Sequence, residues 1–174
     1  PAAAAYDPAI NQWRRIGAPF DNLSWFSLHP RKLLSTGDGG MITTDDADLA
    51  ARLRLLRQHG MSVNDQQRHQ SQQVVFEEYV EVGFNYRLTD IQAAIGRCQL
   101  ARLPQMVARR RELAEIYRAK LSQIDGVIVP ADRTDTRTNW QSYCVMLDGV
   151  DQRQVMQAML DDGIATRRGV MNAH

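Results

Sequence analysis

The hydrophobic pattern opens with two short runs of strand character. Ser24-Trp25-Phe26-Ser27-Leu28 carries two aromatics and no strong helix former. Gly39-Gly40-Met41-Ile42-Thr43-Thr44 passes from flexible glycines into a β-branched stretch. The short Pro- and Gly-containing connection between them predicts an antiparallel pair joined by a structured loop. Leucines 49, 53 and 56 then fall on one helical face. They predict a helix over 49–59, capped by Asp45 or Asp46 and stopped at Gly60. Residues 61–80 break the periodicity, and the Gln-rich stretch Gln66–Gln73 reads as an exposed, mobile excursion. Order resumes at Val82-Gly83-Phe84-Asn85-Tyr86-Arg87.

Thr89 and Gln92 have capping-box spacing. The helix they open contains Ala93-Ala94-Ile95-Gly96, small enough for close packing on another backbone. Pro104 reads as the first residue of a second, longer helix reaching about Ile124, with Val107, Leu113, Tyr117 and Leu121 as apolar positions. Asp125-Gly126 ends it. Strands over 127–129 and 140–147 follow, then a helix capped by Asp151 and a strand beginning at Ile164. This change of character predicts a boundary near residue 126: residues 1–125 as the later part of a large domain with a bridging helix, and 126–174 as the start of a small α+β domain.

Composition narrows the function. The 174 residues carry 21 basic and 20 acidic side chains, a formal net charge of +1, which argues against binding nucleic acid by bulk electrostatics. No apolar run approaches the ~20 residues that span a bilayer, and no signal peptide opens the chain. Cys98 and Cys144 are too few for a disulfide scaffold, and no metal-binding cluster is spaced along the chain. A cytoplasmic protein with reduced thiols and no membrane contact is expected. Of the basic residues, only Lys32 and Lys120 are lysines. A guanidinium stays protonated at working pH, so arginine cannot replace a lysine as an amine nucleophile.

Lys32 stands in the densest chemical stretch, Ser27-x-His29-x-x-Lys32-x-x-x-Thr36-Gly37-Asp38-Gly39-Gly40. A Schiff-base lysine needs its amine partly deprotonated, through desolvation or a nearby cation. Arg31 and Leu33-Leu34 are candidates for both. Hydroxyls and glycine amides can anchor a phosphate. Together these are the parts of a pyridoxal-phosphate (PLP) site. The plainer reading is a solvated surface loop that turns a hairpin. The lysine precedes the glycines, so the stretch is not a Walker A loop.

From Phe26 to Thr44 the sequence resembles the lysine motif of the DegT/DnrJ/EryC1/StrS aminotransferases. Gly83-Phe-Asn-Tyr-Arg-Leu-Thr-Asp-Ile-Gln-Ala-Ala-Ile-Gly96 resembles the family's next signature, continued by Gln99-Leu100, Leu103 and Arg109–Arg111. Thr166-Arg-Arg-Gly169 is a weaker third match. The resemblance implies an α/β fold, the fold type I architecture of aspartate aminotransferase. It implies PLP as cofactor and transfer of an amino group, typically from glutamate, to a nucleotide-linked keto sugar. Lys32 then matches the lysine that forms the internal aldimine and shuttles a proton between Cα and C4′ of the cofactor. Ser27 matches a hydroxyl that bonds the PLP phosphate. Asn85 matches a phosphate contact reaching across a homodimer interface into the neighbouring site. Arg168 and His174 fall where relatives contact the substrate nucleotide. His29 reads as a supporting hydrogen-bonding residue.

Some relatives carry His in place of the lysine and perform dehydration, so Lys32 favours amino transfer. Asp38 stands where Glu is common. The family's Gly-rich phosphate contact, ring-stacking aromatic and pyridinium-pairing aspartate belong upstream of Pro1, and Asp7 does not sit in the aspartate's motif. The chain is therefore expected to be part of a longer polypeptide and catalytically incompetent alone. The rival from another class is a non-catalytic relative that serves as a regulatory or binding protein, for which Lys32 is superfluous. A generic nucleotide-binding module lacks its GxGxxG or P-loop.

Overall fold

A computed structural model of the chain describes residues 4–8, 11–17, 23–63 and 65–169. Its elements run β1 (Ala4–Asp7), β2 (Gln12–Arg15), β3 (Ser24–Ser27), β4 (Gly40–Thr43), α1 (Ala47–Leu56), α2 (Asp65–Gln70), α3 (Asp90–Leu121), β5 (Val127–Ile128), β6 (Thr136–Arg137), β7 (Met146–Leu147) and α4 (Gln152–Asp161).

The predicted antiparallel pair is β3–β4, in register Ser24↔Thr43 through Ser27↔Gly40. Along β3 half-buried Ser24 and Phe26 alternate with exposed Trp25 and Ser27, the period-2 signature of a strand with one covered face. The Phe26 ring lies where a Cβ on Gly17 would stand, 2.2 Å away. Gly17 thus lets the end of the first hairpin lie against β3.

That hairpin is absent from the sequence reading, which found no pattern in the small-residue run at the start. β1 is central, with β2 on one side and β6 on the other, all antiparallel. Pairing on both edges overrides the weak strand propensity of alanine. Tyr6 faces Trp13 across the hairpin, ring centroids 5.7 Å apart, and the Arg137 guanidinium lies 4.2 Å from the Trp13 ring centroid. Arg14 pairs with Asp7 at 3.2 Å. The β1–β6 pairing crosses the boundary read near residue 126.

Asp46 is the residue that caps α1, accepting bonds from Asp48 N and Leu49 N. The excursion after α1 is more ordered than its composition suggests. It contains α2, and its base is closed by Met61↔Tyr79 pairing, Ser62 N donating to Glu78 O, and an Arg68–Glu77 ion pair at 3.3 Å.

The two helices expected around Pro104 are one. α3 runs 32 residues with Pro104 inside it, about 48 Å at 1.5 Å per residue. Proline has no N–H to give the Leu100 carbonyl, and α3 continues through it all the same. Its buried residues are Leu103, Val107 and Ala114, a narrow stripe at helical spacing. Leu113 and Tyr117 lie outside it. Leu28, Leu103, Val107 and Ala114 form the buried apolar core of the described residues. The capping box forms as read: Thr89 Oγ1 accepts from Gln92 N at 3.2 Å, and Gln92 Oε1 accepts from Thr89 N at 3.0 Å. Replacing Thr89 by alanine is expected to cost about 1 kcal/mol in urea unfolding, with Thr89→Ser close to the parent.

Two other expectations need correction. Of the strand read over 140–147 only Met146–Leu147 forms, paired with β5. Trp140 takes a left-handed φ of 51°, which no strand accommodates. The strand read from Ile164 is absent from the described residues. Ile164 instead completes a Schellman end to α4: Gly163, at φ 78°, donates to Leu160 O and Ile164 N to Met159 O.

Candidate active site

Residues 28–39 form a loop that its own hydrogen bonds hold shut. Buried Leu28 donates its N–H to Gly39 O at 2.9 Å, and its carbonyl accepts from both Thr36 N and Ser35 Oγ at 3.1 Å. Thr36 is 3% exposed and donates its hydroxyl to Asp38 O at 2.6 Å. Ser35 Oγ accepts from Gly37 N, and Asp38 Oδ1 from Gly39 N. A buried threonine whose hydroxyl is bonded within the loop rigidifies it without leaving a polar group unsatisfied.

The first turns of α3 press on this loop. Gln92 Nε2 donates to Asp38 O at 3.1 Å, and a Cβ on Gly96 would sit 3.1 Å from Thr36 Cγ2. The small-residue stretch therefore does what its composition suggested. Gly39, at φ 133°, is enclosed by Leu88 and Thr36.

At the head of the loop the His29 carbonyl accepts from Lys32 N at 2.9 Å, a turn that lifts the lysine outward. His29 Nδ1 accepts from Arg31 N at 3.2 Å. Lys32 and Arg31 are exposed, while Leu33 and Leu34 are half-buried. The apolar setting expected for Lys32 is thus not made by its neighbours in sequence, because the turn sends the leucines inward and the amine out. Among the described residues, the amine has no hydrogen-bonding or ionic partner. Ser27 sits beside the loop at the end of β3; its Oγ accepts from His29 N at 3.4 Å, leaving its proton to donate.

Asn85 belongs to a different segment, strapped to the end of α1. Phe84 N donates to Leu56 O at 2.7 Å, His59 N to Phe84 O at 2.9 Å and Tyr86 N to Arg57 O at 2.9 Å. The Phe84 and Tyr86 rings stack with centroids 5.1 Å apart. Backbone alternation therefore sends exposed Asn85 the other way. The strap depends on two glycines in contact: a Cβ on Gly60 would lie 1.9 Å from Glu81 O, and one on Gly83 2.1 Å from Gly60 N.

The structure thus groups Ser27 and Lys32 and leaves Asn85 apart, with no hydrogen bond to either. Arg168 is exposed near the end of the described residues, and His174 lies outside them. The Gly60–Gly83 contact and the enclosure of Thr36 escaped the sequence reading, since neither leaves a periodic signal.

Two arginines of the run on α3, Arg110 and Arg111, form a clamp. Arg110 Nη1 donates to Trp140 O at 2.9 Å and Gln141 O at 3.1 Å, and Arg111 Nε to Thr138 O at 3.1 Å. Tyr143 joins Trp140 and Tyr117 in an aromatic group, both centroid distances 5.3 Å. Its hydroxyl is buried without a partner among the described residues, and loss of solvent pushes the phenol above its ordinary value. An open groove of about 350 Å³ runs along α3 between Leu33, next to Lys32, and Arg110, with Arg102 and Met106 in its wall.

An exposed primary amine on this loop and a hydroxyl donor at the adjoining end of β3 have the chemistry to take an electrophilic carbon and an anionic group. Solved structures share this arrangement's fold. The aminotransferase TlmJ of Streptoalloteichus hindustanus superposes with a TM-score of 0.78 at 30% identity, over 97% of this chain and 42% of that one. The sugar aminotransferase CalS13 of Micromonospora echinospora gives 0.76 at 30% identity, over 95% and 41%. The spore coat polysaccharide biosynthesis protein SpsC of Bacillus subtilis is 38% identical over 153 residues, 86% of this chain and 39% of SpsC. Residues 2–171 match the DegT/DnrJ/EryC1/StrS aminotransferase family, and the chain belongs to it. It spans about two fifths of the length of these relatives. No helix of the described residues is long and apolar enough to cross a membrane.

Proposed function

We propose that this chain is the lysine-bearing portion of a PLP-dependent aminotransferase that moves an amino group, from glutamate, to a keto group on a nucleotide-linked sugar. The observation that carries the reading is the Lys32 amine, exposed and without a partner among the described residues, on a loop held by the hydrogen bonds of Leu28, Ser35, Thr36 and Asp38, in a chain of this family. The donor set fits the cofactor: a primary amine suits its aldehyde carbon, and the Ser27 hydroxyl suits its phosphate. PLP, when bound, supplies an electron sink that makes a proton on the donor's Cα removable.

This chain's own residues divide the remaining work. Lys32 Nζ holds the cofactor and moves the proton in both halves of the cycle. Ser27 donates to the phosphate, and Thr36, Gln92 and Gly96 hold the loop in place. Asn85, on its separate strap, serves the site of a second subunit, so the working unit is a homodimer. Arg168 and His174 contact the nucleotide portion of the acceptor. Residues 1–125 complete the large PLP-binding domain and 126–174 begin the small one. Two exposed free thiols, Cys98 and Cys144, suit the reducing cytoplasm.

The test is intact mass and an ultraviolet–visible spectrum on the complete protein incubated with PLP and then reduced with borohydride. The expected result is one cofactor adduct, mapped to Lys32, with none on the isolated 174-residue chain. An adduct elsewhere, or none on the complete protein, overturns the reading and favours a regulatory binding protein on this fold.

A further inference from the structure

Lys32 is the last residue of a four-residue turn that begins at His29. Pro30 stands second, where its ring sets φ in advance at about −65°, as turns of type I and II require. With proline there, the turn holds only two backbone donors after His29, and both end on that residue. Lys32 N donates to the His29 carbonyl at 2.9 Å, and Arg31 N to the His29 imidazole at Nδ1, 3.2 Å away. Asparagine and aspartate at the head of a turn make the second of these bonds with a side-chain oxygen. Here a ring nitrogen takes its place.

The bonds that hold the rest of the loop stop short of this turn. Leu28 is tied to Gly39, Ser35 and Thr36, while α3 reaches Asp38 through Gln92 and Thr36 through Gly96. Among the described residues, the hydrogen bonds that place Lys32 therefore end on His29, whose own N–H reaches back to Ser27 Oγ at 3.4 Å. One residue stands between the hydroxyl and the amine and is bonded toward both. Without the Nδ1 bond the turn is closed by a single hydrogen bond, and the exposed Lys32 swings with it. Displacing a reacting group by about 1 Å costs up to about 10²-fold. Loss of one ordinary hydrogen bond lowers the population of the correct geometry by about tenfold, and that is the effect to expect.

We propose that His29 is a positioning residue for the lysine: its Nδ1, by holding the Arg31 amide, completes the turn that fixes Lys32 relative to Ser27. This inference rests on the aminotransferase reading above. His29 acts through the backbone and does not touch the reacting atoms. Any side chain that accepts from Arg31 N therefore serves, and the ring itself is dispensable.

The experiment compares His29→Ala and His29→Asn with the parent in the complete protein. Without PLP, amide hydrogen exchange at Arg31 is expected to accelerate about tenfold in His29→Ala. It stays within about twofold of the parent in His29→Asn, whose side-chain oxygen accepts from the same amide. Exchange at Leu28 and Thr36 keeps the parent's rate in both variants, since their acceptors lie outside the turn. With PLP at limiting concentration, the borohydride-fixed adduct on Lys32 is expected to form about tenfold more slowly in His29→Ala and at close to the parent's rate in His29→Asn. In that step Nζ bonds the aldehyde carbon, the carbonyl oxygen leaves as water, and borohydride gives hydride to the carbon. Faster exchange with an unchanged adduct rate in His29→Ala makes the bond merely structural and overturns the proposal, as does unchanged exchange. Restored exchange without a restored adduct rate in His29→Asn means that the ring itself meets the ligand, and overturns it too. A parent with no adduct on Lys32 overturns the aminotransferase reading, and this inference with it; a parent whose adduct rate His29→Ala matches overturns the inference alone.

Discussion

Lys32→Ala is expected to abolish the borohydride-fixed PLP adduct and to lower amino transfer by about 10³-fold or more in the complete protein. On the proposed reading the size follows from two losses at one atom: the amine that would hold the cofactor, and the group that would move the proton, a contribution of about 10²–10⁴ by itself. Lys32→Arg restores the charge and none of the activity, because guanidinium neither attacks a carbonyl carbon nor gives up its proton at working pH. Lys32 is exposed, and its side chain bonds nothing among the described residues. Both variants should therefore keep the parent's urea midpoint, within the ±0.5 kcal/mol usual for such positions. Folded, inactive and adduct-free is the expected combination. Retention of amino transfer by either variant, measured as glutamate-dependent amination of a nucleotide-linked keto sugar, would sink the assignment of Lys32.

Gly60→Ala and Gly83→Ala are expected to be the most destabilising small substitutions in the chain. At Gly60 a Cβ meets Glu81 O at 1.9 Å, and the backbone φ of 71° already excludes most side chains. At Gly83 it meets Gly60 N at 2.1 Å and the His59 carbonyl carbon at 2.4 Å. The obstructing atoms are backbone, which cannot swing aside as the end of a flexible side chain can. Left-handed strain of about 1–2 kcal/mol and overpacking of about 1–3 kcal/mol add at Gly60, giving roughly 2–5 kcal/mol in urea unfolding. Gly149→Ala is the control: its φ is 70°, but nothing lies within 4 Å of its Cβ, so only the strain remains. Equal costs at Gly60 and Gly149 would mean that the close approach carries no energy. The consequence reaches the site, since the same crossing holds the Phe84–Tyr86 strap that presents Asn85. A Gly83→Ala protein that still folds should show faster hydrogen exchange at residues 84–86, with Lys32 still able to take the cofactor.

Both predictions concern residues that the sequence offered, but it offered them unequally. Lys32 was legible because chemistry constrains residue type: one amine, hydroxyls and glycines lie within fourteen positions, in a motif of recognisable order. The α1 cap, read as Asp45 or Asp46, and the Thr89–Gln92 capping box were legible because each depends on contacts within three residues, and the β3–β4 pair because two strand-like runs flank one short turn-rich connection. Gly96 was half legible: its small neighbours announced a close approach, and the structure supplied Thr36 as what approaches.

Elsewhere local rules lost to distant partners. Pro104 reads as a helix start, yet α3 runs through it, with Leu103 and Val107 buried on either side of it. Ala4–Asp7 has little strand propensity and becomes a central strand once β2 and β6 pair with both its edges. Residues 140–147 have strand composition, but Arg110 holds Trp140 and Gln141 by their carbonyls and leaves only two residues to pair.

The sequence by itself determined the helix caps and the family and offered Lys32 and Ser27 as candidate site residues, because these rest on residue identity and on spacings of a few positions. Only the tertiary structure decided where the amine points, which glycines touch, and what the arginines of α3 hold. The glycine contacts and the arginine clamp depend on groups brought together from 21 to 31 residues apart, and a backbone carbonyl is the same acceptor whatever side chain it carries.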